Sequence, residues 1–249
     1  NRKKKIFELN KSNKTHTSLL IAAEKLLTDC KNFGTLPFST MARIAFIGSV
    51  LLKSLKTCGF LDSQLMEKFM MSIRTPLSEI QDDVEAYSKK KISKKDFLKK
   101  YGHLRPGTYD ITALRYDDET EFFDRIKFLK HKKINPIKID EDYISHVLQQ
   151  HKLQFTQISF LNFVKNALIQ REKLKFEFTK NLSESLELIA EAGNKINFTR
   201  NDLSHLDIST ILKNKNKINI KTIWKNTIKK NIEKKLLNDS LISSPLIFS

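Results

Sequence analysis

Glycine and proline are scarce in this chain, with six and five among 249 residues. Period-two alternation of apolar and polar residues is equally hard to find. Together these shortages exclude a strand-rich, turn-rich fold and leave a mostly helical one. Two cysteines, Cys30 and Cys58, are too few for a disulfide scaffold and have no metal-ligand spacing. Each sits in an apolar helical pattern and is expected in a core, in a reducing cytoplasm. No apolar signal core follows the basic start at residues 1–5. The most apolar run, residues 42–52, is too short to span a bilayer, so no membrane partner is expected.

Familiar catalytic devices are missing too. There is no Gly-rich phosphate loop and no Gly-x-Ser-x-Gly elbow. His146 and His151 are five residues apart, not the four that put two ligands on one helical face, so no metal site is expected. With no sheet to display them, Phe122, Phe123, Phe160, Phe163, Phe176 and Phe178 are expected to be core and not base-stacking platforms.

The charge is lopsided, at +17. Lysines are spread along the chain and accompany many Asn and Ile, which reads as a solvated basic surface and argues against a nucleic-acid partner. A basic helical nucleic-acid module and a purely structural spacer are kept as the alternatives. The chain starts without Met and ends in a linker-like Ser-Pro-Leu-Ile-Phe-Ser, so a piece of a longer protein is expected.

Periodicity predicts an all-α, irregular multi-helix bundle, one helical domain over 1–249 divisible into subdomains 1–116 and 117–249. Helices are expected over 17–31, over 39–58 (apolar nearly all round, hence central and buried), after Asp62, and from Pro76. Gly59 is the expected C-cap, and Ser93 with Asp96 a capping box. Further helices are expected at 118–131, ending before a break at Pro136, and from the Asp140 cap to about Gln150. The longest runs from an N-cap at Thr156 to a stop at Gly193, near 156–192. Thr199 with Asp202 opens another, residues 214–219 read as a flexible connection, and a last basic helix, 218–237, holds the lone Trp224.

Two features carry chemistry. The stretch Tyr101-Gly102-His103-Leu104-Arg105-Pro106-Gly107-Thr108-Tyr109-Asp110 breaks a Lys-rich helical background with two Gly and one Pro. Loops on a rigid scaffold are where binding groups concentrate. His103 can act as acid, base or donor, and Arg105 and Arg115 can grip carboxylate or phosphate. Equally, His103 can cap a helix end while Asp110 pairs with an Arg to fix the turn. The second feature is Arg171, which falls in the apolar stripe Phe160, Val164, Ala167, Arg171, Leu174, Phe178, Leu182, Ser185, Ile189. A charge there needs an anion, either a buried carboxylate elsewhere in the fold or a ligand between helices, with Glu172 as a neighbour that can orient it.

The run Asp96-Phe97-Leu98-Lys99-Lys100-Tyr101-Gly102-His103-Leu104-Arg105-Pro106-Gly107-Thr108-Tyr109-Asp110-Ile111, ending in Arg115-Tyr116, resembles a motif of phosphoenolpyruvate-utilising phosphotransferases. That family includes phosphoenolpyruvate synthase, pyruvate phosphate dikinase and the rifampicin phosphotransferase type. A second segment is similar in order and spacing: Arg171-Glu172-x-x-Lys175-Phe176, then Gly193, then Asp202-Leu203-Ser204-His205-Leu206. Leu104 separates His103 from an Arg usually adjacent to it, Tyr116 stands where Trp is common, and His205 where Tyr is common. The resemblance implies a cytoplasmic, helical middle region between an ATP-grasp domain and a swivelling His domain of the same chain. ATP and Mg2+ serve the full-length enzyme, and this part binds none itself. It implies acceptor binding or connection, for a small-molecule acceptor, through His103, Arg105, Asp110, Arg115, Arg171 and Glu172. The part is expected to be inactive alone, and His103 is not the phosphorylated His, since no such His before Ala occurs.

Overall fold

A computed structural model describes residues 15–118, 141–153 and 157–240, all helices and connections with no strand among the described residues. The elements are α1 (His16–Asp29), a π-helical turn (Cys30–Thr35), α2 (Leu36–Thr57), α3 (Ser63–Ser72), α4 (Pro76–Ser88) and α5 (Lys94–Tyr101). After them come α6 (Glu141–Gln150), α7 (Gln157–Lys195), α8 (Arg200–Ser204), α9 (Ile208–Lys213) and α10 (Ile220–Ser240). The all-α expectation holds. The expected helix at 118–131, the break at Pro136, the caps Asp140 and Thr156, Phe122 and Phe123, and both termini lie outside the described residues.

Local chemistry sets most helix ends. Asp62 accepts the amides of Gln64 and Leu65 at 2.8 and 3.1 Å, satisfying donors that α3 cannot pair internally. Pro76 occupies the first turn of α4, where its missing N–H costs nothing. Ser93 accepts the Asp96 amide, and Thr199 and Asp202 form a full reciprocal box at α8. Gly59, at φ +79°, takes the left-handed turn after α2. At the end of α7 the same role falls to Asn197, at φ +66°. Gly193, the expected stop, lies inside the last turn, and the helix ends at Lys195.

The chain forms two compact units interleaved in sequence, each drawing on residues from both sides of position 116. In the first, residues up to Thr28, Arg105–Arg115 and Asn181–Ser249 enclose Leu19, Leu20 and Ala23 of α1, Ile189 of α7, Leu203, Ile211 and the fully buried Trp224. Phe198 meets the Trp224 ring edge-on, with centroids 5.4 Å apart. The 214–219 connection is tied down: Thr17 Oγ1 donates to the Lys215 carbonyl at 3.1 Å, and Lys215 Nζ pairs with Glu24 at 3.1 Å.

The second unit, Asp29–Leu104 with Tyr116–Lys180, packs Ala45, Leu52 and Leu55 of α2 against Phe69, Ile144, Leu148, Phe160 and Val164. Here α2 departs from expectation. One face is buried, but Phe46, Ile47 and Val50 are 63%, 56% and 60% exposed, and Phe33 and Leu36 are exposed as well. An all-round apolar sequence states that a helix needs cover and cannot state which faces receive it. The continuous helical stretch His16–Thr57 also contains an 18-residue window of mean hydropathy 1.5, long and apolar enough by composition to cross a membrane. The run 42–52 is eleven residues of that longer stretch. Cys30 is buried, and burial pushes its thiol up, whereas Cys58 is exposed, contrary to its expected core position.

Capping carboxylates give stability a pH signature. At α9, the hydroxyls of Ser209 and Thr210 and the Thr210 amide hold Asp207 down to about 2, against an ordinary 3.8. The bonds favour the ionised form, so their contribution is complete above the ordinary value and is lost as pH falls toward 2. The stability gap between the native chain and Asp207→Asn, read by urea denaturation, is expected to be constant from pH 7 to about 4 and to close between about 4 and 2.

Candidate functional site

The Gly- and Pro-punctuated stretch follows α5 without a second helix to continue it. Its first part belongs to the second unit. Tyr101 is 1% exposed and donates its hydroxyl to Asp83 Oδ2 at 2.6 Å. Burial would raise the Asp83 carboxyl, but the Tyr101 hydroxyl and the Lys100 ammonium, 2.9 Å away, hold it below the usual range. Burial, then the hydrogen bond to Asp83, pushes the Tyr101 phenol upward. Phe97 and Phe176 flank the Tyr101 ring at 4.9 and 6.0 Å. His103, half-buried, sets its ring edge-on to Phe176 at 5.0 Å. Leu104 and Gly102 carbonyls accept the returning amides of Tyr116 and Asp117, closing the base of the loop.

Residues 105–115 belong to the first unit, and Arg105 organises them. Its side chain is 1% exposed. One terminal nitrogen donates to the carbonyls of Asp110 and Ala113 at 3.3 and 3.1 Å. The other donates to the Ser183 carbonyl and hydroxyl at 3.2 and 3.0 Å and to Glu187 Oε1 at 2.9 Å. Burial pulls the guanidinium down and Glu187 opposes it. A guanidinium keeps its charge in either case, so the acceptors are obligatory.

Glu187 is shared. Arg200, at the start of α8, pairs with its second oxygen and donates to the Ile111 carbonyl at 2.9 Å. One turn earlier on α7, Glu184 takes Arg115 at 2.9 Å. Asp110 folds inward on itself: its Oδ1 accepts the Thr112 amide and hydroxyl at 2.8 and 2.7 Å, and both bonds lower its carboxyl. Gly107 is required here, since a Cβ would stand 2.8 Å from Asp110 Cβ. The apex stays outside, with Tyr109 70% exposed.

The six sequence-nominated residues are divided between the two units. Arg105, Asp110 and Arg115 share one cluster in the first unit, while His103, Arg171 and Glu172 lie in the second. Arg171 is not buried in its stripe: its side chain is 28% exposed and bonds Glu172 next to it, Nε to Oε1 at 2.8 Å. Among the described residues its bonded carboxylate is that of its own neighbour. Sequence reading missed Glu184, Glu187, Ser183 and Arg200. The three-residue spacing of Glu184 and Glu187 was a signal, but it has the same form on a solvated helix face. Among the described residues no group of His, Cys, Asp and Glu could hold a metal ion.

Comparisons with protein-family models, with curated proteins and with solved structures give no match to this chain.

Two arginine substitutions separate the roles. Arg105→Met leaves carbonyls, a hydroxyl and part of Glu187 without donors in a buried place and is expected to cost about 3 kcal/mol. Arg171→Met breaks a neighbour pair nearly a third exposed on both sides and is expected to stay within about 0.5 kcal/mol. Chemical denaturation of both variants measures the contrast.

Proposed function

We propose that this chain is a helical connecting domain of a phosphotransferase of the phosphoenolpyruvate synthase and dikinase type, without a complete active site of its own. The resemblance of residues 96–116 and 171–206 to two motifs of that family supports the class. The observation that carries the connecting role is the occupancy of Arg105: carboxylate, hydroxyl and carbonyl oxygens take the donors of both its terminal nitrogens. An arginine spent in this way fixes backbone and does not grip a transferred phosphate. On this reading ATP, Mg2+ and the phosphorylated His belong to the ATP-grasp and swivelling domains. This part holds their distance and offers the exposed Tyr109 apex as a contact.

The test uses the full reading frame. Label from ATP is expected on a His outside residues 1–249, and Tyr109→Ala is expected to fold normally and slow transfer roughly tenfold, about 1.4 kcal/mol of barrier. A full-length protein that takes no phosphate from ATP or phosphoenolpyruvate removes the reading.

A second reading has one observation in its favour. In α10, Lys221, Lys225 and Lys229 recur at four-residue steps, and these with Lys230, Lys234 and Lys235 are all exposed. A basic helix of this kind suits a phosphate backbone. It predicts binding to duplex DNA that weakens steeply with salt, and a blank gel shift at low salt excludes it.

A further inference from the structure

The second unit contains a cavity of about 250 Å³ that neither reading above uses. Its walls are apolar: Leu51 and Leu55 of α2, Leu148 of α6 and Phe160 of α7. Leu148 and Phe160 are at most 1% exposed and Leu55 is 7% exposed, so these walls are held by the core. Ser54 and Cys58, one helical turn apart, also line the cavity and are exposed, which places an opening along that edge of α2. The remaining edge is aromatic. Phe60 lies between Tyr143 at 6.4 Å and His151 at 5.7 Å, tilted to the first ring and edge-on to the second.

Volume and lining select the ligand. An engineered apolar cavity of about 150 Å³ stays dry and takes up benzene. The present cavity is larger, and its walls hold few groups able to satisfy water. Aromatic rings prefer offset or edge-to-face partners, which Phe60 and His151 supply. We propose that this cavity is a binding pocket for a small, uncharged aromatic molecule of one or two fused rings, entering past Ser54 and Cys58. Walls of this kind with one or two polar groups at the mouth are the usual form of a small-molecule site. The inference is independent of the phosphotransferase reading, since it uses none of residues 96–116.

Cys58 supplies the readout. It is the exposed thiol and lines the pocket, whereas Cys30 is buried with its sulfur 3.7 Å from the Phe178 carbonyl. Iodoacetamide is expected to modify Cys58 quickly and Cys30 slowly, as followed by intact mass. Indole is the probe. At a concentration ten times its Kd, mass action leaves about one pocket in eleven open, so Cys58 alkylation is expected to slow about tenfold and saturably. In Ser54→Phe, an exposed position on α2, the added ring fills the mouth, and indole is expected to leave the rate of that variant unchanged. Circular dichroism checks that both proteins are folded. No slowing of Cys58 alkylation in the folded native chain overturns the proposal, as does equal protection in Ser54→Phe, which would put indole elsewhere.

Discussion

A guanidinium without water is the constraint around which the first unit is arranged. Arg105 is 1% exposed at its side chain, and such a charge persists only where oxygens surround it. The loop supplies two carbonyls, α7 supplies a carbonyl, a hydroxyl and a carboxylate, and each demand shapes the backbone that meets it. The turn at 107–110 has to be tight enough to aim the Asp110 carbonyl inward, which needs Gly107 and the Asp110–Thr112 bonds. Glu187 then passes the constraint to Arg200, whose second donation fixes the Ile111 carbonyl, and Ile111 enters the core beside Leu188 and Trp224. One cation thus links a polar loop to an apolar interior.

The same helix carries a contrast that separates charge from worth. Arg105–Glu187 and Arg171–Glu172 are both Arg–Glu pairs at 2.9 and 2.7 Å. Distance does not distinguish them. The first is dry on the Arg side and adds further hydrogen bonds, so removing one member strands the others. The second is nearly a third exposed on both sides, and water replaces either partner. Buried pairs of the first kind add little net stability over an apolar substitute of the same shape. Their effect is selective: few other loop conformations satisfy the charge.

Sequence legibility follows the range of the interaction. Asp62, Ser93 and Thr199 act on amides within three residues, Pro76 fits a first turn by its own ring, and their patterns identified the helix starts. The all-α class followed from periodicity for the same reason. Residues 214–219 looked loose because their tether, Glu24, is 191 residues from Lys215. Arg171 looked buried because register gives the face of a helix but not what covers it. Arg105, in a loop, had no periodicity to mark it, and its anchor Glu187 looked like any acidic residue on a solvated turn. For α2 the sequence measured total hydropathy correctly and assigned cover to every face, whereas only one face has it among the described residues.

Charge accounting narrows where an anion could be handled. In the loop region the carboxylates of Glu184 and Glu187 already face Arg115, Arg105 and Arg200, so three cations meet two anions in a nearly closed set. Glu187, 20% exposed at its side chain, is already shared between Arg105 and Arg200. Most exposed cations are lysines, six of them on α10. Lysine is a hydrated point charge that attracts anions without the paired geometry that selects one. The buried arginine therefore sets the shape of the loop, and the surplus positive charge of the chain acts as a field over its surface.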